Sequence, residues 1–355
     1  MSSILHIHGR TPQGVRGRGV PLRPPQSLAR SAARRAPQMP ERRAMTIDLH
    51  AKFQGALIGA ALGDAIGEQA FNAPEREALL MRIEETELLR YTDDTVMTLA
   101  LAELLIQAGE VDPQLLGSTL HAHYREEPWR GYGPGPREIF TLVEEEGIGY
   151  REAAQRLHGG EGSFGNGAAM RVAPVGLYFH ALPPEALCAK ARESAAVTHT
   201  HPVGMDGAAL QALAVATTVP INVHRPFSPQ AFLARLLEQA TTSTMKQRLQ
   251  RLAELLDAHA PPEEAASALG LGIAVQESLP FALYSFLSHP HTFMECLLCA
   301  VTHGGDRDTM GAMAGALSGA YLGIEAVPDD WRRRLENNQH IETVARELAA
   351  RAAAS

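Results

Sequence analysis

Phe53-Gln54-Gly55-Ala56-Leu57-Ile58-Gly59-Ala60-Ala61-Leu62-Gly63-Asp64-Ala65-Ile66-Gly67 is the stretch on which the fold turns. Glycine recurs every four residues, at 55, 59, 63 and 67. That period lays all four along one face of a helix. A glycine inside a helix costs about 1 kcal/mol relative to alanine, so the stripe needs a compensating contact. Close backbone-to-backbone packing is the natural one. A second stripe, Gly311, Gly315, Gly319 and Gly323, lies near the other end of the chain. Two helices marked in this way are expected to be buried centrally and to cross closely. The crossing would carry Asp64 and the pair Asp306 and Asp308 toward one place. A membrane reading of the glycine spacing is weak, because Gln54, Asp64 and Ser318 interrupt short segments.

Outward from these two stretches the pattern stays helical. The clearest helices are expected near 51–66, 93–108, 113–124, 136–145, 150–157, 184–195, 202–217, 228–239, 246–258, 263–268, 271–287, 290–302, 307–323 and 340–353. Strand-like alternation is nearly absent, and Pro and Gly clusters such as residues 131–136 punctuate the helices. Aromatics are only 5% of the 355 residues, which favours closely packed helices over a β-sandwich. No composition break follows residue 45. The reading is a compact all-α single domain over 45–355, built of many orthogonally packed helices. Residues 1–44 are rich in Arg and Pro and poor in acids. They are expected to be a disordered tail or an over-extended start, with Met45 as the initiator.

Composition excludes several classes. The formal net charge of −8 argues against nucleic-acid binding by the folded part. No run of about 18 apolar residues suggests a membrane span. Three cysteines, Cys188, Cys296 and Cys299, suggest a reducing compartment, and cytoplasmic localisation is expected. Cys296-x-x-Cys299 has no second pair and sits in an apolar stretch, so helix packing is the better reading than zinc.

Two acidic motifs carry the chemistry: Tyr91-Thr92-Asp93-Asp94-Thr95 and Gly304-Gly305-Asp306-Arg307-Asp308-Thr309. Each precedes a run of small and apolar residues, so each places two carboxylates and a threonine hydroxyl at a helix start. Oxygen donors without matching Cys or His suit hard divalent cations. The bland alternative is ordinary capping by Thr92 or Asp93 and by Asp306. Capping accounts for one acid per helix, but not for the second acid or for the recurrence.

Gly162-Ser163-Phe164-Gly165-Asn166-Gly167-Ala168-Ala169-Met170-Arg171 is a third segment of interest. Its glycines permit close approach of a ligand to backbone N–H groups, as a diphosphate requires. Most glycine-rich loops are only turns, and this one lacks both the dinucleotide-fold and P-loop patterns. Phe164 is suited either to stacking on a base or sugar or to plugging the core. Arg130-Gly131-Tyr132-Gly133 is similar in character. His199 and His201 precede the helix at 203, where capping or ligand hydrogen bonding fits better than zinc.

In order and spacing, Gly63-Asp64-Ala65-Ile66-Gly67, Thr92-Asp93-Asp94-Thr95, residues 162–171 and residues 304–309 resemble the ADP-ribosylglycohydrolase family, that of dinitrogenase reductase-activating glycohydrolase. The resemblance runs from about Phe53 to Trp331. Arg130-Gly131-Tyr132-Gly133, Thr198-His199, residues 207–215 and Glu277-Ser278-Leu279-Pro280 look like the branch that cleaves serine-linked ADP-ribose, poly(ADP-ribose) and O-acetyl-ADP-ribose. The resemblance implies two Mg²⁺ or Mn²⁺ ions held by Thr92, Asp93, Asp94, Asp306, Asp308 and Thr309. It implies an ADP-ribose site drawing on Asp64, Gly131, Gly133, Gly162, Ser163, Phe164, Gly165, Asn166 and His199. Arg307 departs from the family's usual threonine, and its side chain is expected to point away from the metals. Gap-free counting puts Phe71 where the branch has its catalytic glutamate. Glu68, Glu75 and Glu77 are the carboxylates nearby, and Glu68, nearest the Gly-Asp motif, is the candidate acid–base group.

The expected function is dimetal-dependent hydrolysis of O-linked ADP-ribose through an oxocarbenium-like transition state. The substrate would be an ADP-ribosylated protein or an ADP-ribose derivative, and the enzyme a monomer. Hydrolysis of arginine-linked ADP-ribose, or ADP-ribose binding without turnover, are the alternatives.

Overall fold

A computed structural model describes residues 47–354. The expected tail or over-extended start at 1–44 therefore lies outside the described residues. In chain order the helices are α1 (Leu49–Ala70), α2 (Arg76–Glu85), α3 (Asp93–Ala108), α4 (Pro113–Glu126), α5 (Pro134–Glu146), α6 (Tyr150–Gly160), α7 (Gly167–Met170), α8 (Ala173–Tyr178) and α9 (Pro184–Ala195). The second half comprises α10 (Pro202–Thr218), α11 (Pro229–Gln239), α12 (Ser243–Asp257), α13 (Pro262–Leu269), α14 (Val275–Ser288), α15 (Phe293–Thr302), α16 (Arg307–Leu322), α17 (Asp329–Arg334) and α18 (Asn338–Ala353). A 3₁₀ turn, Ile324–Ala326, follows α16. Among the described residues β-structure is limited to two isolated bridges, Leu89 with Leu335 and Gly165 with Ala274. No described helix is long and apolar enough to cross a membrane.

The two glycine stripes meet. Helices α1 and α16 run antiparallel, with Gly55 against Gly319, Gly59 against Gly315 and Gly63 against Gly311. A Cβ added at any of these six positions would come within 3.0 Å of the opposite backbone. Gly67 meets the backbone of Arg307 and Asp308 instead of a glycine. Gly323, the last of the second stripe, adopts φ +89° and ends α16, a conformation glycine takes readily. Asp48 caps α1 by accepting from the Ala51 N–H at 3.1 Å. Near the far end of the crossing, Lys52 is buried and donates to the carbonyls of Tyr321 and Ile221. It satisfies a carbonyl in the last turn of α16, and burial lowers its pKa to about 8.

Around this pair, α10 and α14 are also largely buried. Such helices have no single apolar face, because they contact neighbours on every side. Cys296 and Cys299 pack inside α15, and all three cysteines are free and buried.

Four short helices fall outside the sequence expectation. Helix α2 buries only Leu79 and Ile83, an i, i+4 pair among charges. Helices α7, α8 and α17 are one or two turns long. The helix expected from 271 starts at Val275, because residues 271–274 cross the mouth of the site instead.

Gly315→Ala places a methyl group against the Gly59 carbonyl. The expected cost is about 3 kcal/mol or more, as for overpacked cores, read as a lowered midpoint in chemical denaturation. Gly149→Ala, with nothing within 4 Å of its new Cβ, should stay within about 0.5 kcal/mol of wild type. Equal midpoints for the two variants would refute the close crossing.

Candidate active site

The α1–α16 crossing delivers Asp64 to the start of α3. Asp64 is fully buried, and four donors there point at its carboxylate. The Thr92 N–H and hydroxyl donate at 2.9 and 2.7 Å, and the Thr95 N–H and hydroxyl at 3.0 and 2.6 Å. One aspartate from a distant helix thus satisfies the orphan donors of α3. Even so, burial holds the carboxyl up at about 6. Asp64 lies behind the cavity and steers the motif, with its own oxygens already engaged.

Capping therefore does not use the acids of either motif. Thr92 is the N-cap of α3 and Asp306 that of α16, yet neither side chain makes a capping hydrogen bond. Thr92 donates its proton to Asp64, which leaves its oxygen lone pairs for another partner. Asp306 instead accepts from the Asn166 amide at 2.6 Å. The Thr309 hydroxyl reaches Asp94 at 3.5 Å and ties the two helix starts together. Asp94 Oδ1 is buried without a hydrogen-bond partner among the described residues.

The electrostatics are those of crowded, desolvated acids. Burial, reinforced by Asp64, pushes Asp93 up to about 7. Burial, reinforced by Asp306 and Asp64, pushes Asp308 up to about 8. Asp94 is raised by burial and by the charges of Asp64 and Asp308. Among the described residues no three His, Cys, Asp or Glu side chains form a ready-made metal cluster. The fit to a hard cation rests on the donor chemistry: mutually repelling carboxylates, hydroxyls between them, and one orphaned buried oxygen. Arg307 turns away and donates to the Val301 carbonyl at the end of α15.

These side chains line a cavity of about 340 Å³. Asp93, Asp94, Asp306, Asp308 and Thr309 form one part of the wall, and Gly131 and Gly133 another. Ser163, Gly165, Asn166 and His199 complete the set of expected residues found there. A short strap, residues 271–274, bent at Gly272 and Ile273 and bridged to Gly165 through Ala274, joins loop to motif. Ile273 accepts from the Asn166 N–H at 2.9 Å, Phe164 from the Val275 N–H at 3.1 Å, and Leu271 from the Asp306 N–H at 2.8 Å. Glu277 pins the strap by accepting from the Gly272 N–H at 3.0 Å.

Five expected residues do not line the cavity. Asp64 is fully buried and Thr92 half-buried, outside the cavity wall. Gly162, at φ +74°, packs against Thr200 and His201. Phe164 is 42% exposed, so it is no core plug, and stands between the rings of His158 and His201 at the rim. Glu68 is exposed in the last turn of α1, and partial burial raises its pKa. His201 caps α10 by accepting from the Val203 N–H at 3.1 Å. Glu138, Arg171 and Ile273 line the cavity without having stood out in the sequence as site residues. Glu138 reads there as one charge among many on a surface helix, and Arg171 as the end of a glycine loop.

A family model described as ADP-ribosylglycohydrolase matches residues 45–355. ADP-ribosylhydrolase ARH3 of Mus musculus is 34% identical over 341 residues, covering 84% of this chain and 90% of the relative. The Homo sapiens protein of the same name is 33% identical, with 84% and 92% covered. ADP-ribosyl-[dinitrogen reductase] glycohydrolase of Rhodospirillum rubrum is 28% identical over 304 residues, with 81% and 91% covered. A solved ADP-ribosylglycohydrolase-related protein complex superposes with a TM-score of 0.65 at 28% identity, covering 86% of this chain and 99% of its own. With its all-α fold, the protein is a glycohydrolase. The chain belongs to the ADP-ribosylglycohydrolase family, and its similarity to ARH3 proteins is consistent with that branch.

The raised carboxyls give a pH signature. Their folded values lie above the unfolded ones, so the stability they contribute is present below about pH 4, their unfolded range. It is lost as pH rises through 7 to 8, the range of Asp93 and Asp308. A divalent cation should offset that loss. Mg²⁺ or Mn²⁺ is expected to raise the thermal midpoint over a chelated sample, with a larger increment at pH 8.5 than at pH 6.5. At a hundredfold excess over Kd the gain would be about 2.7 kcal/mol. An increment of zero at both pH values would overturn the cation fit.

Proposed function

We propose that this enzyme hydrolyses O-linked ADP-ribose, as serine-ADP-ribose or O-acetyl-ADP-ribose with the polymer as a further candidate substrate, and releases free ADP-ribose. The observation that carries the proposal is the cavity itself. Four aspartates from two helix starts face a glycine-rich loop across one cleft, the arrangement an anionic, hydroxyl-rich substrate with bound cations would need. The names of the curated relatives reported above support the ADP-ribose class. Free, buried cysteines accord with a reducing compartment, and we place the enzyme in the cytoplasm.

Thr92, Asp93, Asp94, Asp306, Asp308 and Thr309 would hold two Mg²⁺ or Mn²⁺ ions. When bound, these would supply positive charge to the ribose hydroxyls and to a water. The chain's own residues do the rest. The Ser163 hydroxyl, which accepts from the Gly165 N–H at 3.1 Å and keeps its own proton to donate, is on the cavity wall and suits a diphosphate oxygen. Phe164 offers an exposed flat face for a base or sugar at the rim. Hydrolysis breaks the bond between the anomeric carbon and the leaving oxygen. Water adds to that carbon, and the leaving oxygen takes a proton. Glu68 is the proposed proton carrier. It lies one helical turn beyond Asp64, next to Gly67, whose backbone abuts Asp308. Partial burial raises its pKa, the direction that favours the protonated form of an acid–base group.

One observation favours a second candidate. Glu138 lines the cavity and Glu68 does not. Glu68→Gln should lower kcat by about 100-fold or more while ADP-ribose still binds, and Glu138→Gln should retain most activity. The opposite pattern would transfer the role to Glu138. Asp94→Asn should abolish turnover with the helical circular dichroism intact.

A substrate panel with purified protein and Mg²⁺ tests the reaction itself. Serine-ADP-ribosylated peptide and O-acetyl-ADP-ribose are expected to release ADP-ribose, and arginine-ADP-ribosylated protein to be a poor substrate. Cleavage of the arginine linkage alone would move the enzyme to the other specificity.

A further inference from the structure

Beneath the glycine-rich loop lies a polar chain that the reaction does not explain. Arg171 is fully buried and has no carboxylate partner among the described residues. Its guanidinium donates to the Gly167 carbonyl at 3.1 Å, the Ser194 carbonyl at 3.4 Å and the Thr198 hydroxyl at 2.8 Å. That same hydroxyl lies 2.8 Å from His199 Nδ1. Thr198 is itself 1% exposed, so solvent cannot satisfy it. On its other side, the His199 ring faces the loop: a Cβ at Gly165 would be 3.5 Å from Nε2, and one at Gly167 3.4 Å.

Donor and acceptor rules fix the proton positions along this chain. A guanidinium only donates, so Thr198 Oγ1 accepts from Arg171. The hydroxyl then has one proton to place, and among the described residues His199 Nδ1 is the acceptor within reach. If Nδ1 instead carried a proton, the buried hydroxyl would have no acceptor, at a cost of about 1–3 kcal/mol. Nδ1 is therefore unprotonated, and the neutral ring carries its proton on Nε2. Burial, reinforced by Arg171 and His158, lowers the His199 pKa to about 3, so the ring stays neutral at working pH. No described residue accepts from Nε2, and His199 lines the cavity.

We infer that Arg171 and Thr198 are positioning residues that lock His199 into the Nε2–H tautomer, so that it offers a fixed neutral donor to an acceptor oxygen of the bound substrate. The acceptor is a phosphoryl or ribose oxygen, which rests on the ADP-ribose reading above; the tautomer does not. A neutral donor suits this place, because a second full charge beside Arg171 would repel it. The lock also makes the site discriminate: a ligand that presents a donor there meets a ring that cannot exchange roles without breaking the chain behind it.

The test combines a spectroscopic and a binding measurement. Long-range ¹H–¹⁵N spectra report the His199 tautomer without any ligand, with the resonances assigned by their loss in His199→Gln. Wild type should show neutral Nε2–H. Thr198→Val, which removes the hydroxyl, should shift the ring toward Nδ1–H or a mixture and weaken ADP-ribose binding by about tenfold, the worth of one hydrogen bond. Thr198→Ser should keep both the tautomer and the affinity. A wild-type ring found as Nδ1–H or as imidazolium would overturn the inference. So would a Thr198→Val protein with unchanged tautomer and affinity. Should Thr198→Val fail to fold, the wild-type and Thr198→Ser spectra decide. If ADP-ribose does not bind wild type at all, the substrate reading fails while the spectra still judge the lock.

Discussion

Contact between two helix backbones is the constraint on which the rest of this molecule depends. Side chains normally keep helix axes about 8–10 Å apart. Helices α1 and α16 dispense with side chains along their shared face, and in the three facing pairs 55/319, 59/315 and 63/311 each carbonyl lies against a glycine of the other stripe. The helix penalty of those glycines is offset by dense packing on both sides. The crossing also sets a direction. At one end Gly67 abuts Asp308, and at the other Lys52 satisfies the last turn of α16. Both acidic motifs are placed from the Gly67 end: Asp308 by its own helix, and Asp93 and Asp94 through Asp64.

The hold that Asp64 exerts has a counterpart elsewhere in the fold. Asp206 in α10 is also fully buried and accepts from the N–H groups and hydroxyls of Thr241 and Thr242 at 2.8–3.1 Å, with Arg192 at 2.9 Å. Thr242 is the N-cap of α12. In both places a carboxylate from another helix fixes a helix start. The outcomes differ because of what lies beyond. Past Thr242 the α12 sequence is ordinary, and the arrangement is structural. Past Thr92 come two acids with no capping duty, and the same device exposes carboxylates to the cavity. A pair of acids at each of two helix N-termini also gains from the positive end of the helix dipole. That helps a cluster of like charges persist at all.

Much of this was legible in the chain because glycine and aspartate leave unambiguous traces. The stripes at 55–67 and 311–323 announced a crossing, and the doubled acids announced more than a cap. Residues whose role depends on three-dimensional neighbours were not legible. Residues 271–274 read as the first turn of α14, since nothing in Leu-Gly-Ile-Ala says that Asp306 and Asn166 will claim its carbonyls. Phe164 could stack or plug until its exposure was known. Arg171 and Thr198 are ordinary residues in sequence, and only burial beside His199 gives them a function. Glu68 is marked in the sequence by its place after Gly67, whereas Glu138 has no such neighbour, although it is Glu138 that lines the cavity.

The pairing of α1 with α16 also bears on how the molecule comes into being. The two stripes are separated by some 250 residues of intervening chain. Closing a loop of that size costs entropy before any contact repays it, and such non-local topology slows folding. During synthesis from the N-terminus, α1 emerges with its glycine face bare and must wait until nearly the whole domain has been made. Until then its buried-type surface, with Phe53, Leu57 and Ile66, is open to the wrong partners. The contact that makes the finished protein dense is therefore among the last it can form, and the nascent chain is most vulnerable where the native one is most tightly packed.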